Sequence, residues 1–162
     1  MTTTDQLARD GVAAIEAYFA ARNASPVTAG DGRFSVYVPG GDQTETLQLA
    51  LASTPAARGI LARVKARRTI ASSDWPKALL LANKWNRSNP VPHVVLSTRG
   101  SGDTATGHLL VEGLLTPTAG IGDDQVARFV DTVVSGARQF WSSPAVRSIS
   151  APLPTPAGAG GA

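Results

Sequence analysis

The sequence predicts an α+β domain: an antiparallel sheet with helices packed against it, in the order α-β-β-β-α-β-β-α. Three observations predict it. Stretches with period-two alternation, such as Phe34-Val36-Val38 and Leu47-Leu49-Leu51, follow one another across short polar loops, as antiparallel strands do. Stretches with helical spacing flank and interrupt that series. The chain has 162 residues, 43% of them hydrophobic, which is enough length and apolar content to close one core.

The first helix starts at Thr3, with Gln6 three residues on in capping-box spacing. Leu7, Gly11, Ile15, Tyr18 and Phe19 recur near helical spacing, and the helix ends around Asn23, ahead of Ser25-Pro26. Asp31-Gly32 marks a turn. Phe34, Val36 and Val38 form a half-buried strand, Pro39-Gly40-Gly41-Asp42 a loop, and Leu47, Leu49 and Leu51 a second strand hairpinned to the first. In GILARVKARRTIA, from Gly59 to Ala71, two periods compete. A strand puts Ile60, Ala62, Val64 and Ala66 on one face and Leu61, Arg63, Lys65 and Arg67 on the other; a helix would cluster Ile60, Leu61 and Val64. The strand is preferred, because Gly59 opens the segment, β-branched residues punctuate it and two alternating strands precede it.

Ser72-Ser73-Asp74 offers caps for a second helix from about Asp74 to Arg87, and Pro76 is tolerated in its first turn. Trp75, Ala78, Leu79, Ala82, Trp85 and Asn86 share one broad side of it, and Asn89-Pro90 with Pro92 ends it. A short apolar strand runs from His93 to Ser97, followed by the turn Arg99-Gly100-Ser101-Gly102-Asp103. The stretch from Gly107 to Leu115 is apolar on both faces, which predicts a central strand. Asp123 or Asp124 caps the last helix, whose stripe is Val126, Phe129, Val130, Val133, Ala137, Phe140 and Trp141. Beyond Trp141 the chain turns to Ser, Pro, Ala and Gly. The expectation is a domain over residues 1–141 and a disordered tail over residues 142–162.

Composition excludes several function classes. With no cysteine, there is no disulfide, no thiol catalysis and no thiolate metal site. No apolar run approaches the roughly 20 residues that span a bilayer. The opening MTTTDQLARDGV lacks the basic and apolar regions of a signal peptide, so a cytoplasmic protein with no membrane partner is expected. A net charge of +3 does not by itself imply nucleic acid.

Four features carry candidate chemistry. Asn83, Trp85 and Asn86 at the end of the second helix read first as a structural corner. Asn tolerates helix ends, its amide can satisfy a carbonyl or a strand edge, and Trp85 would anchor helix to sheet. The other reading is a polar and aromatic patch that grips a peptide. Arg63, Lys65 and Arg67 would point one way from a strand and could bind an acidic partner or phosphates; otherwise they solvate a sheet face and discourage edge pairing. No aromatic residues are interleaved with these charges, so nucleic acid is not the expected partner. His93 and His108, with Glu112 or Asp103, could approach a metal, but two histidines without a third fixed ligand read as ordinary strand residues. The loop RGSGDTATG lacks the Gly-Lys-Ser/Thr of a phosphate cradle and precedes a strand, so it reads as a hairpin turn. No Gly-x-Ser-x-Gly elbow is present, and the paired carboxylates Asp123-Asp124 are explained by a helix start. Nothing in the chain demands an enzyme, a cofactor or a metal.

Read together and in order, several of these motifs resemble the YbjN-domain family, its actinobacterial members especially. They are Asp31-Gly32 before Phe34, Asn83-x-Trp85-Asn86, Pro92 before a strand, Val111-Glu112, the run Gly120-Ile121-Gly122-Asp123-Asp124-Gln125-Val126, and Phe140-Trp141. The similarity spans about Leu7 to Trp141. Lys84 stands where an acidic residue is common, and Gly122 replaces the usual Thr or Ser cap, which leaves capping to Asp123. The resemblance implies a fold like that of type III secretion chaperones, small and often dimeric proteins that bind extended segments of other proteins. It also implies a regulator of sensory transduction or stress with no agreed catalytic residues. The expected function is therefore a non-enzymatic protein-binding module, chaperone-like adaptor or regulator, with an unidentified protein partner and a homodimer as candidate assemblies. The alternative is a sensor in stress or signal regulation that binds a small ligand between helix and sheet.

Overall fold

Alternation along the strands decides the architecture. In β3 (Thr46–Thr54) Leu47, Leu49 and Leu51 are buried and Gln48 and Ala50 are not. In β4 (Gly59–Ala66) Ile60, Ala62, Val64 and Ala66 are buried while Arg63 and Lys65 are exposed. In β7 (Thr106–Leu115) Gly107, Leu109, Val111 and Gly113 are buried. One face of the sheet is thus core, and its other face is open. The structure is a computed structural model; it describes residues 3–41, 45–54, 58–117 and 120–153, and the side chains of residues 3–5, 7, 8 and 103 lie outside the description.

The sheet is antiparallel throughout. β1 (Val27–Thr28) edges β2 (Arg33–Pro39), which pairs with β3, then β4, then β7. β6 (His93–Arg99) lies on the far side of β7 and has no other strand partner among the described residues, so β7 is central as the sequence predicts. The helices α1 (Thr3–Ala20), α2 (Trp75–Ser88) and α3 (Asp123–Trp141) all cover the core face: α1 lies over β3 and β4, α3 over β4 and β7, and α2 beside β6. Their buried residues join those of the strands in a single cluster that includes Ile15, Phe19, Ala78, Val130 and Phe140.

The expected strand from Gly59 to Ala71 is there, but it breaks. β4 pairs with β7 at Val64↔Val111, and β5 (Arg68–Ala71) pairs with the same strand at Ile70↔Gly107. Six residues of advance on one side meet only four on the other. Two extra residues therefore bulge out around Arg67, which bends the strand and takes Arg67 out of line with Arg63 and Lys65.

Three other expectations change. Gly122, rather than an aspartate, is the N-cap of α3, and no side chain caps it; Asp123 and Asp124 lie in the first turn, where their charge complements the helix dipole. Asp74 precedes α2 without a capping bond and pairs instead with Lys77. Leu79, expected on the packed side of α2, is 49% exposed, because that helix buries only the narrow Ala78-Ala82 stripe. At the start of α1, Gln6 donates to Asp10, and the expected Thr3 cap lies outside the described side chains.

The expected tail is ordered over its first part. α4 (Pro144–Ser148) starts with a proline that suits a first helical turn, and Val146 is buried, worth about 2 kcal/mol in apolar burial. Arg68 Nε donates to the Ser150 hydroxyl (2.8 Å), and a guanidinium nitrogen of Arg68 donates to the Ser150 carbonyl (2.7 Å). The Leu153 N–H donates to the Arg67 carbonyl (2.8 Å), which brings β8 (Ala151–Pro152) beside β5. Val146 and Ile149, packed on the core, and Arg68 order a segment whose average composition is that of a linker. Residues 154–162 of the expected tail lie outside the described residues.

Candidate functional site

Two places hold most of the residues singled out in the sequence. The first is the corner where α2 turns into β6. Trp85 donates its indole N–H to the Pro92 carbonyl (3.0 Å) and meets Phe140 of α3 edge-on, with ring centroids 5.4 Å apart. Asn89 closes the helix by donating its backbone and side-chain N–H groups to the Trp85 carbonyl. Asn86 acts on the strand: its amide nitrogen donates to the Val94 carbonyl (2.9 Å), and its amide oxygen accepts from the Val94 N–H (2.6 Å). The carboxamide thus pairs with one residue of β6 as a neighbouring strand would. Asn83 is exposed and takes no part in this network.

The second place is the open face of the sheet. Register sets Ser35, Ala50, Arg63, Glu112 and His93 side by side across five strands. Arg63 Nε donates to Glu112 Oε2 (2.6 Å), and His93 Nε2 lies 3.5 Å from Glu112 Oε1. Next to this row, Gln48, Lys65, Ser97, Arg99 and His108 join Arg63 around a depression of about 330 Å³ with Ala50 and Leu110 also in its lining. No carboxylate lines it, and Lys65 and Arg99 form no ion pair among the described residues. The His108 Nδ1 lies 3.0 Å from the Arg68 carbonyl. A carbonyl can only accept, so Nδ1 carries the proton and Nε2 is the nitrogen left for other partners.

Arg67 belongs elsewhere. It lines a separate depression of about 480 Å³ with Arg68, Arg147, Glu45 and Tyr37. There Arg68 is tied to Ser150, to the Arg147 carbonyl and to Glu45 (3.4 Å), so much of the positive charge serves the fold. The basic group expected at Arg63, Lys65 and Arg67 therefore divides in two at the bulge.

The two histidines do not meet. His93 stands opposite Glu112 and His108 opposite Ser97, four residues apart along β7, or about 13 Å at roughly 3.3 Å per residue. Ser97 and His108 stand opposite each other across the strands but share no hydrogen bond. The chemistry offered by the open face is attraction of anions, by three cations on a partly apolar floor. Gln48, Ser97 and Arg99 were not singled out from the sequence. Alternation does place Arg99 on the same face as Ser97, but the strand register that brings both to Lys65 has no local signature.

A family model shows the family, and a solved structure shows the fold. A family model described as "YbjN: Putative bacterial sensory transduction regulator" matches residues 12–142. Among solved structures, E. coli YbjN, described as "a putative transcription regulator", is similar with a TM-score of 0.63 and 15% identity, over 88% of this chain and 96% of that one. At that identity the likeness speaks for the fold. No curated protein matches. No helix among the described residues is long and apolar enough to cross a membrane. The chain belongs to the YbjN family, and its α+β fold is that of the E. coli protein.

Proposed function

We propose that this YbjN-family chain is a non-enzymatic, cytoplasmic protein-binding module, a chaperone-like adaptor or regulator. In this reading it takes an extended segment of a partner along the outer edge of β6, beside the open sheet face. One observation carries the reading. Because Val94 turns both backbone groups to Asn86, it is a residue whose N–H and C=O point away from β7. Leu96 and Thr98 have the same parity, so their backbone groups face outward as well, and no strand among the described residues covers them. Such an edge supports strand addition, with the basic face beside it selecting acidic side chains. A second copy of the chain is a further partner on this reading, and the exposed Leu79 and Leu80 of α2 supply apolar surface for it.

Native mass spectrometry of the protein isolated gently from its host tests this. The expected result is an added protein chain that disappears in Thr98→Pro, which removes an outward N–H without touching the β6–β7 ladder. A partner retained at full strength by Thr98→Pro would refute strand addition at this edge. The second reading, a small-ligand sensor, is favoured by the depression on the open face rather than by any space between helix and sheet. It predicts a bare chain carrying a small added mass.

A further inference from the structure

We infer that the depression around Lys65 is a binding site for a phosphoryl group carried on a small, partly apolar body. The inference rests on the open face being the working surface, and it does not depend on strand addition at β6. Arg63, Lys65 and Arg99 line one depression, and no carboxylate lines it. Glu112, the nearest acid in the register, already holds Arg63 by Nε and approaches His93. That contact leaves the two terminal nitrogens of the Arg63 guanidinium as donors. Lys65 and Arg99 are committed to no partner among the described residues, and His108 keeps Nε2 available.

Donor count then separates the ligand classes. A carboxylate brings one negative charge and two oxygens. A phosphomonoester brings close to two charges and three terminal oxygens, and so satisfies more of the cations and of the Gln48 and Ser97 side chains. Arg supplies a planar fork for such oxygens, and Lys supplies a point charge. Size points the same way. At about 330 Å³ the depression is larger than a bare phosphate needs, and Ala50 with Leu110 gives it an apolar part where a ring or short aliphatic body can lie. The other basic depression is the weaker candidate, because Arg68 there is held by Ser150 and Glu45.

The test is an amide NMR titration of the full chain with phenyl phosphate, benzoate and inorganic phosphate, at constant ionic strength. The expected result is a saturable shift of the Gln48, Lys65, Ser97, Arg99 and His108 amides by phenyl phosphate. Inorganic phosphate should bind more weakly at the same amides, and benzoate at least tenfold more weakly. Lys65→Gln and Arg99→Gln each remove an exposed cation distant from the core, and each should weaken phenyl phosphate about tenfold with an unchanged melting temperature. A phosphoserine peptide titrated in parallel identifies the source: tighter binding than phenyl phosphate assigns the group to a modified partner, and weaker binding assigns it to a free metabolite. Equal binding of benzoate, shifts scattered over the surface, or undiminished binding by both variants would overturn the inference. Loss of phenyl phosphate binding together with retained partner capture would remove this site and leave the proposed function standing.

Discussion

The corner around Trp85 and the open sheet face around Lys65 are both rich in polar residues, yet they use them in opposite ways. At the corner, Trp85, Asn86 and Asn89 each donate to a backbone carbonyl, and the aromatic ring is pressed against Phe140. On the open face, Lys65 and Arg99 have no ion pair among the described residues, and the lining around them holds no carboxylate. Saturated polar groups are what a fold needs to bury a helix end, because an unmet carbonyl or N–H costs about 1–3 kcal/mol. Unmatched cations on an exposed surface contribute little to folding and remain available to something outside the chain. A residue's type therefore says less about its role than whether its hydrogen-bonding capacity is already filled.

The sharpest way to break this contrast is Trp85→Ala. It removes an indole packed on Phe140 and orphans the Pro92 carbonyl, and should cost about 3 kcal/mol. Urea unfolding monitored by circular dichroism reads the loss. A variant that keeps its midpoint but loses a partner would move the corner from structure to recognition. On the opposite side of the contrast, Lys65→Ala should change stability by no more than about 0.5 kcal/mol, as exposed positions without special contacts do. A loss well above that would mean the open face holds the fold together. The smallest effect is expected on the helix-covered side. Burial pushes the Tyr18 phenol above its ordinary value near 10, although the Arg22 guanidinium, 4.0 Å from the ring centre, pulls it partly back. The unfolded chain ionises this phenol first. Its contribution is therefore complete below about pH 10 and is lost as pH rises from there through the folded value. Tyr18→Phe should flatten the alkaline limb of a stability-against-pH curve; an unchanged limb would assign that loss to other groups.

Much of the fold was legible before the structure because its periods are strong. Ile60, Ala62, Val64 and Ala66 against Arg63 and Lys65, and the α3 stripe from Val126 to Trp141, separate two faces by spacing alone. Asn86 could be read as a residue able to satisfy a strand edge, and it does so. Three things were not legible, for one physical reason: each depends on a partner distant in sequence. The bulge at Arg67 is visible only against β7. The order of residues 144–153 depends on Arg68, about 80 positions away. The meeting of Lys65 with Arg99 and His108 requires the registers of β4, β7 and β6 together. The family resemblance covers nearly the same stretch as the matching family model, but a shared fold could not say which face remains uncovered.

The Asn86 carboxamide has one further effect. By occupying both backbone groups of Val94, it acts as a stop at one end of the β6 edge. An added strand would meet the amide there, which leaves Leu96 and Thr98 as the outward-facing pairing positions of β6. Under the proposed strand addition, so short a ladder would hold an added segment weakly and would disfavour endless stacking of like molecules. The same addition would also have its phase fixed by the amide, so that the same side chains would meet Arg99 each time. Change that amide to a group that cannot pair, and the edge lengthens by one station and loses its zero mark.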